Sequence, residues 1–399
     1  MARRVAVLGV VLLLAACGAE PEAAAGPPPR PVPVARAVPA DTAALVSAID
    51  AFGLDLLTAP ALADRTNLVV SPASASVALQ MIAAGAEGET ATQLAKVLHL
   101  PDGVTPRLPA FDQTDLKVSN TAWAQRGLTL KPAYQDTLRD RFGTTLREAD
   151  FAADPGAARE EINETVADQT EGRITDLFPR DAISRDSRLV LTNALYLKAD
   201  WAQEFPAERT AQEPFTRADG STVAVPMMHN DPSEEVELGY AEGPGYQVVT
   251  LPYKGGELAF TVIVPGSVDA LRGMGIDALL AEVRPTLVAL ALPRFTVRSA
   301  MELTETLKAA GMPLAFTDAA DFDGITDEVD LRIASVQHKT FVRVDEKGTE
   351  AAAATGVDAE AVSAPLVRTV TVDRPFLFVV TDTATGAPLF LGRVADPTA

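Results

Sequence analysis

Residues 345–356 read DEKGTEAAAATG, and no other stretch limits the fold as much. After Gly348 come Thr349, Glu350, the alanines Ala351, Ala352, Ala353 and Ala354, and Thr355, with almost no side-chain volume from which to build a core. Alanine is the best helix former, so a short helix or a slack linker is one reading. In an extended chain, successive side chains alternate faces. One face then carries Thr349, Ala351, Ala353 and Thr355, all small and uncharged; the other carries Glu350, Ala352, Ala354 and Gly356. That division suits a segment that slides into a sheet beneath packed helices and leaves its only charge in water. Gly348 would supply the backbone freedom of a hinge.

The start of the chain reads as an address. Arg3 and Arg4 precede an apolar run over residues 5–16 that ends at Cys17. A basic start and a short apolar stretch describe an export signal over residues 1–16 better than a spanning helix. Residues 14–17, LAAC, resemble a bacterial lipobox, in which cleavage precedes a lipidated cysteine; an ordinary cleaved signal is the other reading. Cys17 is the only cysteine, so an intramolecular disulfide is impossible. Residues 17–40 are rich in proline and alanine without an apolar period, as expected of an extended tether. The expectation is an exported, extracytoplasmic protein, lipid-anchored to a bacterial membrane in the periplasm or at the cell surface.

Residues 41–399 form the body, long enough at 47% hydrophobic content for one large domain. The net charge of −20 comes without a cluster of lysine and arginine, which argues against a nucleic-acid partner. Apolar periodicity predicts helices over residues 42–58, over the segment that follows Ser71-Pro72, and over 88–100, 131–143, 157–174 and 299–311. Strands are predicted at 68–70, at 115–130, across the apolar run RLVLTNALYLKADW, at several places in 222–264, and through most of 331–394. Helices dominate early and strands late, which argues for an α+β fold.

Side chains able to do chemistry are few. Of the histidines, His99 ends a helix and reads as a surface residue, His229 has no obvious partner, and His338 reads as buried, facing opposite to Phe341. No G-x-S-x-G, H-E-x-x-H or paired-cysteine pattern occurs, so neither a hydrolase elbow nor a zinc site is expected. Aligning Gly324 with the turn of a calcium loop places Asp321 and Asp323 as ligands but puts Ala319 at the first position and Asp330 at the last, so the pattern fails. The sequon Asn163-Glu164-Thr165 lies within a predicted helix and carries no weight. The chain is not expected to be an enzyme or to hold a metal or cofactor.

Around the alanine run, the motifs are many and ordered. VRVDEKGTEAAAATG resembles the hinge of the serpins, the serine protease inhibitors. NLVVSPASASVALQMIAAGAEGET, AAREEINETVADQTEGRITDLFP, LVLTNALYLKADWAQEF and VDRPFLFVVTDTATGAPLFLGRV resemble other signatures of that family, in the right order over residues 42–397. The resemblance implies three β-sheets with eight or nine helices and an exposed reactive centre loop. It implies an inhibitor that a target serine protease attacks to form a covalent acyl-enzyme, after which the cut loop enters the main sheet as a new strand. Strand addition of this kind releases stored strain. The alternative within the family is a non-inhibitory carrier or chaperone, and a monomer is expected in either case.

Site residues carry over one by one. Ser71, Ser74, Asn193 and His338 match the shutter, a polar cluster beneath the sheet. Trp201 matches the breach, where insertion begins. Glu346 matches the acidic residue of the hinge and Arg294 its basic partner, a pair expected to be partly exposed. Spacing from the hinge puts the reactive bond at Val362-Ser363. Counting back from Pro375 gives Ala364-Pro365, where the proline would hinder most serine proteases, and Ala361 is a further candidate. Arg368 lies too near the C-terminal anchor. A small aliphatic residue at the cut suits an elastase-like or subtilisin-like pocket.

Overall fold

The structure, a computed structural model of the chain, describes residues 40–63, 65–101, 116–144, 146–230, 237–266, 271, 275–349 and 367–399. Cys17, the signal and tether, the hinge residues Glu350 to Thr355, and the candidate bonds at Ala361, Val362, Ser363 and Ala364 lie outside the described residues.

The central sheet orders its strands β3 (Arg147–Ala149), β2 (Leu116–Gln125), β4 (Leu189–Leu197), β14 (Val336–Asp345) and β13 (Phe295–Glu302). At the end where β14 finishes, the two-residue strands β5 (Ala199–Asp200) and β15 (Gly348–Thr349) join it. A second sheet runs β1 (Asn67–Val70), β18 (Pro388–Val394), β17 (Phe376–Asp382), β10 (Leu258–Val264), β9 (Tyr246–Pro252), β8 (Leu238–Gly243) and β11 (Arg284–Thr286). The third holds β16 (Arg368–Thr371), β12 (Val288–Pro293), β7 (Thr222–His229) and β6 (Ala211–Thr216).

Seven α-helices occur among the described residues: α1 (Ala40–Leu57), α2 (Pro72–Ala83), α3 (Gly88–Val97), α4 (Pro132–Phe142), α5 (Pro155–Gln169), α6 (Ile276–Ala281) and α7 (Thr304–Ala310). Local chemistry sets their ends. Ser71 caps α2, its side chain accepting from the Ser74 N–H, with Pro72 in the first turn, where no amide is needed. Gly143 closes α4 in the left-handed conformation.

All nine residues of β4 are buried, which explains their unbroken apolar run: one face meets each side of the sheet. Val190 and Ala194 pack with Trp123, Phe151, Ile162, Val166 and Phe178 beneath α5, while Leu191 joins a larger core with α2. Leu195 and Leu197 belong to a third cluster centred on Phe260, Phe295, Phe376 and Phe378.

One predicted helix is overturned in part. Ser299 to Glu302 continue β13, and the helix starts only at Thr304. Phe295, Val297, Ser299 and Met301 alternate buried with less buried neighbours, so a period of two outweighs the helix signals downstream.

Asp50, on the buried face of α1, is 4% exposed. Its Oδ2 accepts from the Asp277 N–H at 3.3 Å, and its Oδ1 has no partner. Burial, aided by the charge of Asp277, pushes its pKa up to about 8. A carboxyl raised above its unfolded value stabilises the fold at low pH and loses that contribution as pH rises towards 8. Asp50→Asn should therefore barely change the melting temperature at pH 4.5 and raise it by roughly a few degrees at pH 8. Melting curves of both proteins at the two pH values test this, and a benefit confined to acid would refute it.

Candidate functional site

The two middle strands of the central sheet, β4 and β14, run parallel, paired from Val336↔Leu191 to Phe341↔Tyr196. Beyond that rung they separate. The chain of β14 continues to Asp345, turns through Glu346 and Lys347, and returns as β15. That returning strand pairs antiparallel with β14 on one side (Val344↔Thr349, Asp345↔Gly348) and with β5 on the other (Thr349↔Ala199, Gly348↔Asp200). Gly348 and Thr349 thus occupy the slot between the middle strands.

Gly348 is required here for a different reason from the one expected. A Cβ on it would lie 2.0 Å from the Ala199 carbonyl oxygen, so close backbone approach demands the glycine. Thr349 is fully buried, and its hydroxyl shares a 2.7 Å hydrogen bond with the Tyr253 hydroxyl. Burial holds the Tyr253 phenol well above its usual range. Tyr253 stacks on Trp201 with ring centroids 4.6 Å apart. Trp201 in turn donates from Nε1 to the Asp345 carbonyl at 2.9 Å and from its backbone N–H to the Lys347 carbonyl at 2.6 Å. Trp201 therefore grips both sides of the turn, one with its indole and the other with its backbone.

Glu346 accepts from Arg294 Nε at 2.7 Å on each oxygen, from Arg294 Nη2, and from the Thr210 hydroxyl at 2.6 Å. Burial alone would raise its pKa, but the Arg294 and Thr210 hydrogen bonds outweigh it and hold the carboxyl below the usual range. The expected half-open pair is lopsided: the Arg294 side chain is 46% exposed and that of Glu346 only 10%. Thr210 was not legible as a partner, because nothing in its local sequence marks it.

Six rungs along the sheet, the parallel ladder rests on a second polar group. His338 Nε2 accepts from the Ser71 N–H at 3.0 Å, which leaves the proton on Nδ1 to be donated to Asn193 Oδ1. Asn193 Nδ2 donates to Ser74 Oγ. His338 and Asn193 face each other directly in the register of the two strands. Beside them, Thr340 donates to the Val69 carbonyl at 2.8 Å, and Ser299 accepts from the Val69 N–H at 2.9 Å. The structure thus brings Ser71, Ser74, Asn193 and His338 together in one cluster, and Trp201, Arg294, Glu346, Gly348 and Thr349 in another. Tyr253, Ser299 and Thr340 complete these clusters and were missed.

The other histidines lie elsewhere. His99 is exposed and bonded to Asp55 at 2.8 Å; His229 does have a partner, Glu213 on the neighbouring strand at 2.7 Å. Asn163 of the sequon is buried and bonded to the backbone of Phe178. Among the described residues, no three potential metal ligands gather.

The model of the family Serpin (serine protease inhibitor) matches residues 47–397, and the chain belongs to that family. It is 36% identical over 375 residues to a serpin-like protein of Thermococcus kodakarensis, covering 88% of this chain and 86% of the relative. Leukocyte elastase inhibitor A of Mus musculus is 32% identical over 380 residues, covering 88% and 99%. Among solved structures, the native state of tengpin, a thermophilic serpin, superposes with a TM-score of 0.78 at 27% identity, covering 91% of this chain and 96% of tengpin.

Burial pulls the His338 pKa down to about 3. A histidine depressed in the fold binds its proton more readily when unfolded, so its contribution is complete above the unfolded value of 6.5 and lost as pH falls towards 3. Denaturant unfolding between pH 4.5 and 7.5 is expected to show this acid-side loss. In His338→Asn the slope should flatten, and stability at pH 7.5 should drop by about 1–3 kcal/mol as buried partners are orphaned. An unchanged slope would show that another group titrates.

Proposed function

We propose that the protein is a single-use inhibitor of serine proteases whose cut loop becomes a new strand between β4 and β14. The observation that carries this reading is β15: two residues of the hinge already lie between β14 and β5, which follows β4 in the chain, antiparallel to both. Carrying the same register on sets residue 351 opposite Val342 and Leu197, residue 353 opposite Thr340 and Leu195, and residue 355 opposite His338 and Asn193. These sheet residues are all buried, and the sequence supplies Ala351, Ala353 and Thr355 to meet them. The pairs that now face each other across the parallel ladder would receive one residue between them, with no change of register.

The energetics favour this step. It replaces a parallel ladder with two antiparallel ones, which are slightly more stable per residue, and it satisfies a new set of backbone groups. In the inhibitory reaction, the protease serine attacks the carbonyl of the residue before the cut. The peptide bond breaks, the new amine leaves, and the protease remains joined by an ester. Burial of the loop then carries the protease along before water can cleave that ester. We assign the cut to Val362-Ser363 and the target to the elastase-like or subtilisin-like proteases. The apolar Val362 and the likeness to a mouse leukocyte elastase inhibitor support this assignment. We further propose export and lipid attachment at Cys17, on the strength of the LAAC stretch.

Incubation with elastase followed by denaturing gel electrophoresis tests the reading. The expected product is an SDS-stable band containing both proteins; clean cleavage without that band would leave the carrier alternative. Thr349→Arg should reduce the complex at least about tenfold and convert the protein into a substrate, because a charge would have to enter the interior beside Tyr253. Full inhibition by that variant would contradict the assigned inward face.

A further inference from the structure

We propose that α6 is a latch held shut by a proton: the neutral carboxyl of Asp50 fastens it to α1, and loss of that proton releases it from the body. The fastening is narrow. At six residues, α6 is too short to hold as a helix by itself. Its Ile276 and Leu279 are buried in the core that Leu54, Leu56 and Leu57 of α1 help to line. Polar contact with α1 comes down to Asp277. Its N–H donates to Asp50 Oδ2 at 3.3 Å, and its own Oδ2 accepts from the exposed Ser47 hydroxyl at 3.5 Å. Asp277 Oδ1 turns back on α6 and accepts from the Ala278 N–H at 2.8 Å. Asp50 Oδ1 is buried and has no hydrogen-bond partner.

Among the described residues, no cation stands ready to compensate a charge on Asp50. α1 packs against α2, β1, β18 and α6. Neither α2 nor β1 carries a titratable side chain. β18 carries Arg393, whose Nη2 donates to the carbonyls of Ala63 and Arg65 instead. α6 carries Asp277 alone, and on α1 itself Asp41 and Asp55 are exposed. Ionised Asp50 would therefore be a buried charge beside a like charge, with one hydrogen bond for its two oxygens. Such a state is costly, and moving a short helix aside to admit water relieves it. The rise of the Asp50 pKa to about 8 has the same origin, burial first and the charge of Asp277 second. In water the carboxyl would return towards its ordinary 3.8. Opening thus gains on closure as pH climbs from that value to about 8, and levels off once both forms are ionised.

Hydrogen exchange of the full chain reads this opening directly. Mass spectrometry of the peptide that spans α6 is followed between pH 5 and pH 9, with each rate corrected for the intrinsic rate at that pH. Protection of α6 should fall by up to about tenfold per pH unit between pH 5 and 8 and flatten above it. It should also stay below the protection of β4 throughout, since α6 opens without the sheet. In Asp50→Asn the profile should be flat. Asp277→Asn should keep the fall, because Asp50 stays buried. Three results would overturn the latch: wild-type protection that ignores pH, an equal fall in Asp50→Asn, or protection of α6 that matches β4 at every pH. A fall abolished by Asp277→Asn but kept by Asp50→Asn would make Asp277 the titrating group and overturn it as well.

Discussion

The parallel ladder between β4 and β14 joins just six residue pairs, and the behaviour of the molecule turns on it. Both strands are buried on both faces over most of that length, so neither can move without disturbing helices above or the second sheet below. Yet at the end of the ladder the strands part, and the slot between them is filled by the tight turn after Asp345. A sheet that already holds two residues of the following segment would, on the insertion proposed above, have to part the remaining rungs to take the rest. The open question for such a structure is therefore what keeps the remaining rungs closed.

Hydrogen-bond geometry supplies the answer. His338 and Asn193 sit opposite each other and bond to each other, and each also bonds to the start of α2, His338 to the Ser71 N–H and Asn193 to Ser74. Each bond in such a buried group is strong only when all are made, and leaving one unmade carries the full cost of a desolvated polar atom. An apolar contact of the same area would let the strands slide by small steps. A polar cluster resists until several bonds break together, which gives a barrier instead of a gradual slope.

How much of this was legible in the sequence depends on distance along the chain. The strand β4 and the start of α2 at Ser71-Pro72 follow from local composition, and each reads correctly without tertiary information. The shutter residues could be named only through the family resemblance, because nothing local ties Ser71 to a histidine 267 positions away. Tyr253 went unseen for the same reason: its bond to Thr349 spans 96 residues and depends on how two sheets meet. Gly348 was read as a flexible hinge, although the constraint is the Ala199 carbonyl pressed against its Cα. Ser299 was drawn into the helix that follows, since its period-two partners, Val297 and Met301, signal a strand only when the pairing with β14 is known.

The two polar groups differ in one respect that bears on the direction of the insertion proposed above. At the slot entrance, Thr349 already holds its partner Tyr253, and Trp201 clamps the turn, so the first rung is formed and its neighbours are committed. At the cluster, on that proposal, a hydroxyl to replace the lost bonds would come only with Thr355, after the rungs between had formed. Breaking the cluster before those rungs exist would strand buried donors with nothing to receive them; breaking it after they exist lets the incoming threonine restore what is lost. If the loop inserts as proposed, opening from the entrance towards the cluster is therefore the low-cost order, and the antiparallel pairing of Gly348 and Thr349 is what would make that order available.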